Sequence, residues 1–259
     1  MTSSRPSPLT QATTRLELQR VAVHVLARRR FEVTSRFGLR ASPGGIATPP
    51  FGDIGEVIRI SGTLLLRETG PTVSSMTMSG STLRQLSDFV DSDPEAAFEC
   101  GPDTPAIGDL DTPLSFDPTQ LRSLATWWWL GSSVLDSVTG DLREGSATTM
   151  QLWPEHFDVG TTISVGSTNV NLGISPGDAW CEEPYAYVGP WGDDRPGDPG
   201  SWNAPFGAAL RVSEVGGDGA AASEDCRRFF EDRLTALGIK FHTEDDPPSG
   251  WTEKGSTEQ

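Results

Sequence analysis

The sequence predicts an α+β protein: an antiparallel sheet, whole or divided between two pseudo-equivalent lobes, packed by about four helices. Three observations carry this. Apolar residues recur at helical spacing in a few well-separated segments, while strict alternation dominates the stretches between them. The helical segments do not alternate one-for-one with strands, as a doubly wound or barrel arrangement requires. Twenty-eight Gly and 20 Pro in 259 residues call for many turns, and the 36% hydrophobic content excludes a coiled coil or a membrane-embedded chain.

Residues 1–11 are polar and Pro-containing and are expected to be disordered. A helix follows at about 14–30, with Leu18, Val21, Ala22, Val25 and Leu26 on one face and Arg28, Arg29 and Arg30 at the negative end of its dipole. Alternation predicts strands at Phe37–Ala41, closed by the turn Pro43-Gly44-Gly45, and at Glu56–Arg67, with Ile58, Ile60, Leu64 and Leu66 facing one way. Across Gly70-Pro71, Thr72–Met78 pairs back and buries Met76 and Met78. Thr82-Leu83-Arg84-Gln85 is a capping-box pattern and opens a helix at about 82–91. Residues 91–117 read as a long surface loop with room for one short strand. Asp117-Pro118 starts a helix at about 118–139, whose stripe runs through Leu121, Leu124, Trp128, Leu135 and Val138. Its Trp127-Trp128-Trp129 run fans around the axis and reads as packing, not as a stacking platform. From Met150 the period is two, which predicts an antiparallel meander of three strands around 157–165, 170–174 and 185–189. The Gly- and Pro-rich stretch 192–206 is irregular. A strand at Ala208–Val215 leads to a final helix at about 223–238, stopped by Gly238. Residues 242–259 read as a disordered acidic tail. A composition break near 142–148 divides the chain into an N-terminal lobe, 12–145, and a C-terminal lobe, 146–241.

The formal charge is −16. Residues 1–50 hold eight Arg against two Glu, and the remainder holds twelve basic against thirty-four acidic residues. The Arg-rich first helix is therefore expected to dock on the acidic body, and nucleic acid and anionic membranes are disfavoured as partners. Cys100, Cys181 and Cys226 have no metal-binding spacing and are expected as free thiols. No apolar run is long enough for a secretory signal or a membrane span, which points to the cytoplasm.

Phosphate-loop, dinucleotide, nucleophile-elbow and zinc-protease signatures are missing. Chemistry concentrates in two places. In Trp153-Pro154-Glu155-His156-Phe157-Asp158, an extended chain puts His156 and Asp158 on one polar face. That pair suits either a base with its orienting carboxylate or two metal ligands completed by Asp178, Glu182 or Glu183. The alternative, which a two-residue signal favours, is that the two simply hydrogen-bond each other or nearby backbone. The second place is Glu183-Pro184-Tyr185-Ala186-Tyr187-Val188-Gly189-Pro190-Trp191, where Glu183, Tyr185, Tyr187 and Trp191 share one side. This face is either the wall of a small-molecule cleft or a half-exposed sheet face covered by 192–206, with Trp202 as its plug.

Leu152–Asp158, Gly173-Ile174-Ser175-Pro176-Gly177-Asp178 and Glu183–Tyr187 together resemble an uncharacterised bacterial domain-of-unknown-function family. In that family a W-P-x-H-F-D motif precedes G-F-x-x-G-D and P-E-P-x-x-Y motifs and the chain closes with a helix. Phe37–Gly45 resembles hypothetical actinobacterial proteins. The resemblance implies a bacterial, cytoplasmic origin and brings no activity. Glu155 stands where a second His is expected, which weakens a metal-site reading.

Three functional classes follow. The first is small-molecule binding in a cleft lined by Trp153, Tyr185, Tyr187, Trp191 and Asp178. The second is a hydrolase-like enzyme using His156, Asp158 and Glu183, with or without a metal ion. The third is a structural or interaction protein whose aromatics are core. The pattern specifies no cofactor, no complete metal-ligand set and no oligomeric state.

Overall fold

The computed structural model describes residues 8–217 and 219–242 and shows an α+β fold of two antiparallel sheets packed by helices. Helix α1 (Pro8–Val21) runs without a break through a π-helical stretch, Ala22–Ala27, into α2 (Arg28–Thr34). It thus extends past both ends of the expected helix. Residues 8–11, expected to be disordered, form its first turn, and residues 1–7 lie outside the described residues. All six residues of the π stretch are buried. The loop 91–117 covers their outer side and is held there by carbonyl oxygens: Arg20 Nε reaches Ile107 O at 3.0 Å, His24 Nε2 lies 2.7 Å from Pro105 O, and Arg28 donates to Asp93 O at 3.0 Å. Arg29 pairs with the buried Glu56 at 3.0 Å, so the Arg-rich helix docks on its own chain.

The first sheet runs in chain order: β1 (Arg40–Ser42), β2 (Gly45–Ala47), β3 (Val57–Ser61), β4 (Leu64–Thr69) and β5 (Thr72–Thr77). The single strand expected at 56–67 is a hairpin. Gly62, at φ +57°, and Thr63 turn the chain, and Ile60 pairs with Leu65. A two-residue turn preserves the alternation but inverts the face, so Leu65 is fully buried and Leu64 is 37% exposed. Strand β5 is an edge whose side chains are exposed apart from the half-buried Met76, and Met78 beyond it is buried. Thr82 and Gln85 form both bonds of the capping box on α3 (Leu83–Phe89). No strand forms in the loop that follows. Asp117 accepts from Thr119 N at 2.7 Å and Gln120 N at 3.2 Å, opening α4 (Pro118–Gly140).

The second sheet contains β6 (Ser146–Ala147), β7 (Gln151–Trp153), β8 (Asp158–Val165), β9 (Thr168–Ser175), β10 (Tyr185–Pro190) and β11 (Ala208–Arg211). Its order is β11-β10-β9-β8-β6, with β7 also on β8. The expected meander is β8-β9-β10. Strand β11 ends before Val215 because Val212–Glu214 tightens into a 3-10 turn, with Glu214 accepting from Arg211 N at 2.9 Å. Helix α5 (Gly219–Ala236) begins ahead of the expected Ser223 and ends as expected, with Gly238 at φ +83°. Of the expected tail, residues 243–259 lie outside the described residues.

Helix α4 packs on β1 and β2 of one sheet and on β8 and β9 of the other. Trp128, Leu135 and Val138 are fully buried in one continuous core drawn from both sheets. Leu39 and Leu152 exchange backbone bonds at 2.8 Å, joining the sheets directly. Among the described residues no helix is long and apolar enough to cross a membrane.

Candidate functional site

The outer face of the second sheet, opposite α4, is polar because alternation sends Val159, Ile163, Leu172, Ile174 and Val188 inward. Register aligns Tyr187 with Gly173 and Gly173 with Gly160 across three strands. A methyl group on Gly173 would overlap the Tyr187 ring, so the two glycines clear a track along which the phenol lies flat. Its hydroxyl donates to Asp158 Oδ2 on β8. Asp158 is 8% exposed, and its Oδ1 has no hydrogen-bond partner among the described residues. Burial raises the Asp158 carboxyl above the ordinary carboxylate value, and burial together with the facing Asp158 raises the Tyr187 phenol.

The turn before β8 is fixed from beneath. Phe157 takes φ +62°, and its ring meets Trp128 edge-on at 4.8 Å. Trp128 Nε1 donates to Phe157 O at 3.3 Å, and Trp127 Nε1 to Ser175 O at 2.8 Å, so the tryptophan run of α4 clamps the start of β8 and the adjacent end of β9. Trp129 is exposed and outside this clamp. From α1, Gln19 Nε2 donates to Glu155 O at 2.7 Å. Glu155 is itself buried, and burial raises its carboxyl. This turn also displaces His156 from the strand expected to carry it. His156 is exposed, with Nδ1 3.7 Å from Asp103 Oδ2, and does not hydrogen-bond Asp158. The imidazole–carboxylate dyad expected at this spacing is therefore not formed.

Where β6 gives way to β7, residues 148–150 face only 161–162 on β8, a one-residue bulge. The bulge borders a cleft of about 590 Å³, within the range of roughly 300–1,000 Å³ typical of small-molecule sites. Trp153, His156, Asp158, Tyr187 and Trp191 all line it. Trp191 is 66% exposed yet held in place: its Nε1 donates to Asn171 Oδ1 at 2.9 Å and its backbone N to Asn169 O at 3.0 Å. Asn171 Oδ1 also accepts the Thr162 hydroxyl at 2.9 Å.

Three expected site residues lie elsewhere. Asp178 organises its own turn, accepting from Trp180 N at 2.8 Å, Cys181 N at 2.9 Å and Tyr185 Oη at 2.6 Å. Tyr185 is buried against Trp180 and Phe206. Glu183 accepts from Ser213 N at 3.1 Å and braces the turn after β11. Trp202 is not the plug over the tyrosines. It donates to Pro196 O at 2.9 Å under Arg195 and Arg233, and Phe206 packs on Tyr185 and Tyr187 instead. No group of three His, Cys, Asp or Glu suited to a metal ion occurs among the described residues, so Asp178, Glu182 and Glu183 do not complete a ligand set with His156 and Asp158.

Sequence reasoning missed Asn171, Thr149, Gln151 and Asp103. Asn171 stood in view on the polar face of β9. Asp103 is fifty-three positions from His156 and had no local signal. No protein-family model, curated protein or solved structure matches the chain.

Proposed function

We propose that this chain is a cytoplasmic small-molecule-binding protein with no nucleic-acid partner, and that its site is the cleft on the outer face of the second sheet. The observation that carries the reading is the rigidly held, solvent-facing indole of Trp191 on the same hollow as Trp153, His156, Asp158 and Tyr187. The Trp191 ring stays 66% exposed while its N–H is tied to Asn171, so its open face borders the hollow. Arg59 and Arg67 pair with Glu68 and Glu56 at 2.8 and 2.7 Å, which supports excluding nucleic acid. Free Cys100, Cys181 and Cys226 support a reducing compartment.

A thermal-shift screen of a chemically diverse small-molecule library tests the proposal. A cleft ligand at about 100 times its Kd adds roughly 2.7 kcal/mol, or about 5–10 °C in Tm for a chain of this size. That shift is expected in the wild type and lost in Trp191→Ala. A library without hits, or hits indifferent to Trp191, removes the proposal.

A further inference from the structure

Building on the binding-cleft reading, we infer that the ligand is a neutral carbohydrate of more than one ring, stacked on Trp191. The Trp191 N–H is already used by Asn171, so the indole offers its apolar face, and the C–H face of a sugar ring complements such a surface. The floor beside it is mixed in hydrogen-bonding sense, and its one carboxylate, Asp158, is 8% exposed and already takes the Tyr187 hydroxyl. Asn171 Oδ1 is taken by Thr162 and Trp191, which fixes the amide and leaves its NH2 without a partner among the described residues. The Tyr187 hydroxyl donates to Asp158 and so faces the cleft as an acceptor. Sugar hydroxyls both donate and accept, and match a floor of this kind.

Competing ligand classes fit worse. No Lys or Arg lines the cleft among the described residues, and the chain carries −16, so phosphate- or carboxylate-bearing ligands find no counter-charge. A quaternary ammonium held in an aromatic cage needs rings converging within about 6 Å of the cation. Trp153 instead has Phe37 as its ring neighbour, at 6.4 Å, and Trp191 has none among the described residues. The cleft's volume of about 590 Å³ leaves room for more than one ring. A second hollow of about 510 Å³ shares Thr148, Thr149 and Thr161 with it at the edge of the sheet and reaches Asp136 and Thr139 on α4.

The test is an array of neutral mono- to tetrasaccharides probed with the full chain, followed by titration of tryptophan emission, with choline, adenosine monophosphate and glucuronate as controls. At least one tetrasaccharide is expected to bind, about tenfold or more tighter than its monosaccharide. Trp191→Ala and Asn171→Asp are each expected to weaken it by about tenfold while circular dichroism stays unchanged. Trp129→Ala, on an exposed part of α4 outside the cleft, is expected to leave binding intact. Binding of choline or the nucleotide in a Trp191-dependent way, with no saccharide bound, overturns the carbohydrate assignment and keeps the binding cleft. Silence from every saccharide and control, together with a hitless library screen, overturns both.

Discussion

At the scale of single residues, the site depends on side chains whose surroundings no local pattern encodes. Alternation put Asp158 and Tyr187 on the polar sides of their strands, and both share the cleft with Asn171, which the sequence reading did not single out. What alternation does not carry is depth. Asp158 is sealed beneath a phenol lying across two glycines, whereas His156, two positions earlier, is exposed because Phe157 turns the backbone between them. His24 shows the same effect on the other side of the molecule. Read on sequence it is one more residue of a helix. In the fold it is buried beside Arg20 and Arg28, and desolvation takes its pKa down to about 4. The unfolded chain gains a proton near pH 6.5 and the folded chain does not until about pH 4, so stability falls as pH drops through that window. The full effect is on the order of 3 kcal/mol. The buried Asp158 and Glu155, whose carboxyls are raised, oppose it by favouring the folded state as pH falls. The difference between wild type and His24→Gln isolates the histidine: urea melts from pH 7 to pH 4.5 should show a shallower loss in the variant. Parallel curves would place the acid sensitivity elsewhere.

Elements were legible wherever a terminus carries its own chemistry. The capping box at Thr82, the Asp117-Pro118 start and the Gly238 stop all stand where the residues put them. Length was harder to read. Gly62 hid a hairpin inside an unbroken alternation, and the first helix runs past its amphipathic stretch at both ends, while the loop 91–117 buries the face of Ala22–Ala27 that a free helix would leave wet. Gly131 in α4 illustrates how packing overrides propensity. Glycine inside a helix costs about 1 kcal/mol relative to alanine. Here, though, the three atoms nearest an added methyl all belong to Ile174, whose Cβ is anchored to β9. Gly131→Ala should therefore destabilise by about 1–2 kcal/mol despite its better propensity, and the same substitution should cost less in an Ile174→Ala background. A more stable Gly131→Ala in denaturant melts would contradict the close approach of α4 to the second sheet.

For the whole molecule, composition foretold the class of fold but not that a single helix would serve both sheets. The core passes from one sheet to the other through α4, so neither sheet keeps a complete hydrophobic layer once that helix leaves. Unfolding is expected as one cooperative transition. All eight Trp lie at or beyond position 127, so fluorescence reports the second half of the chain, and hydrogen exchange of β3 and β4 amides reports the first sheet. Coincident midpoints are expected, and separated ones would mean that the halves melt independently. Strand β5 has a different bearing on the molecule. It presents Thr72–Thr77 at the margin of the first sheet, uncharged and free of proline, with no strand on its outer side among the described residues. Such a border lacks the lysines and bulges that usually keep β-proteins from adding to one another. What holds two molecules apart is then their shared negative charge, a long-range guard that dissolved salt weakens beyond about 8–10 Å, so the colloidal behaviour of this protein is governed by ionic strength at a strand remote from its binding face.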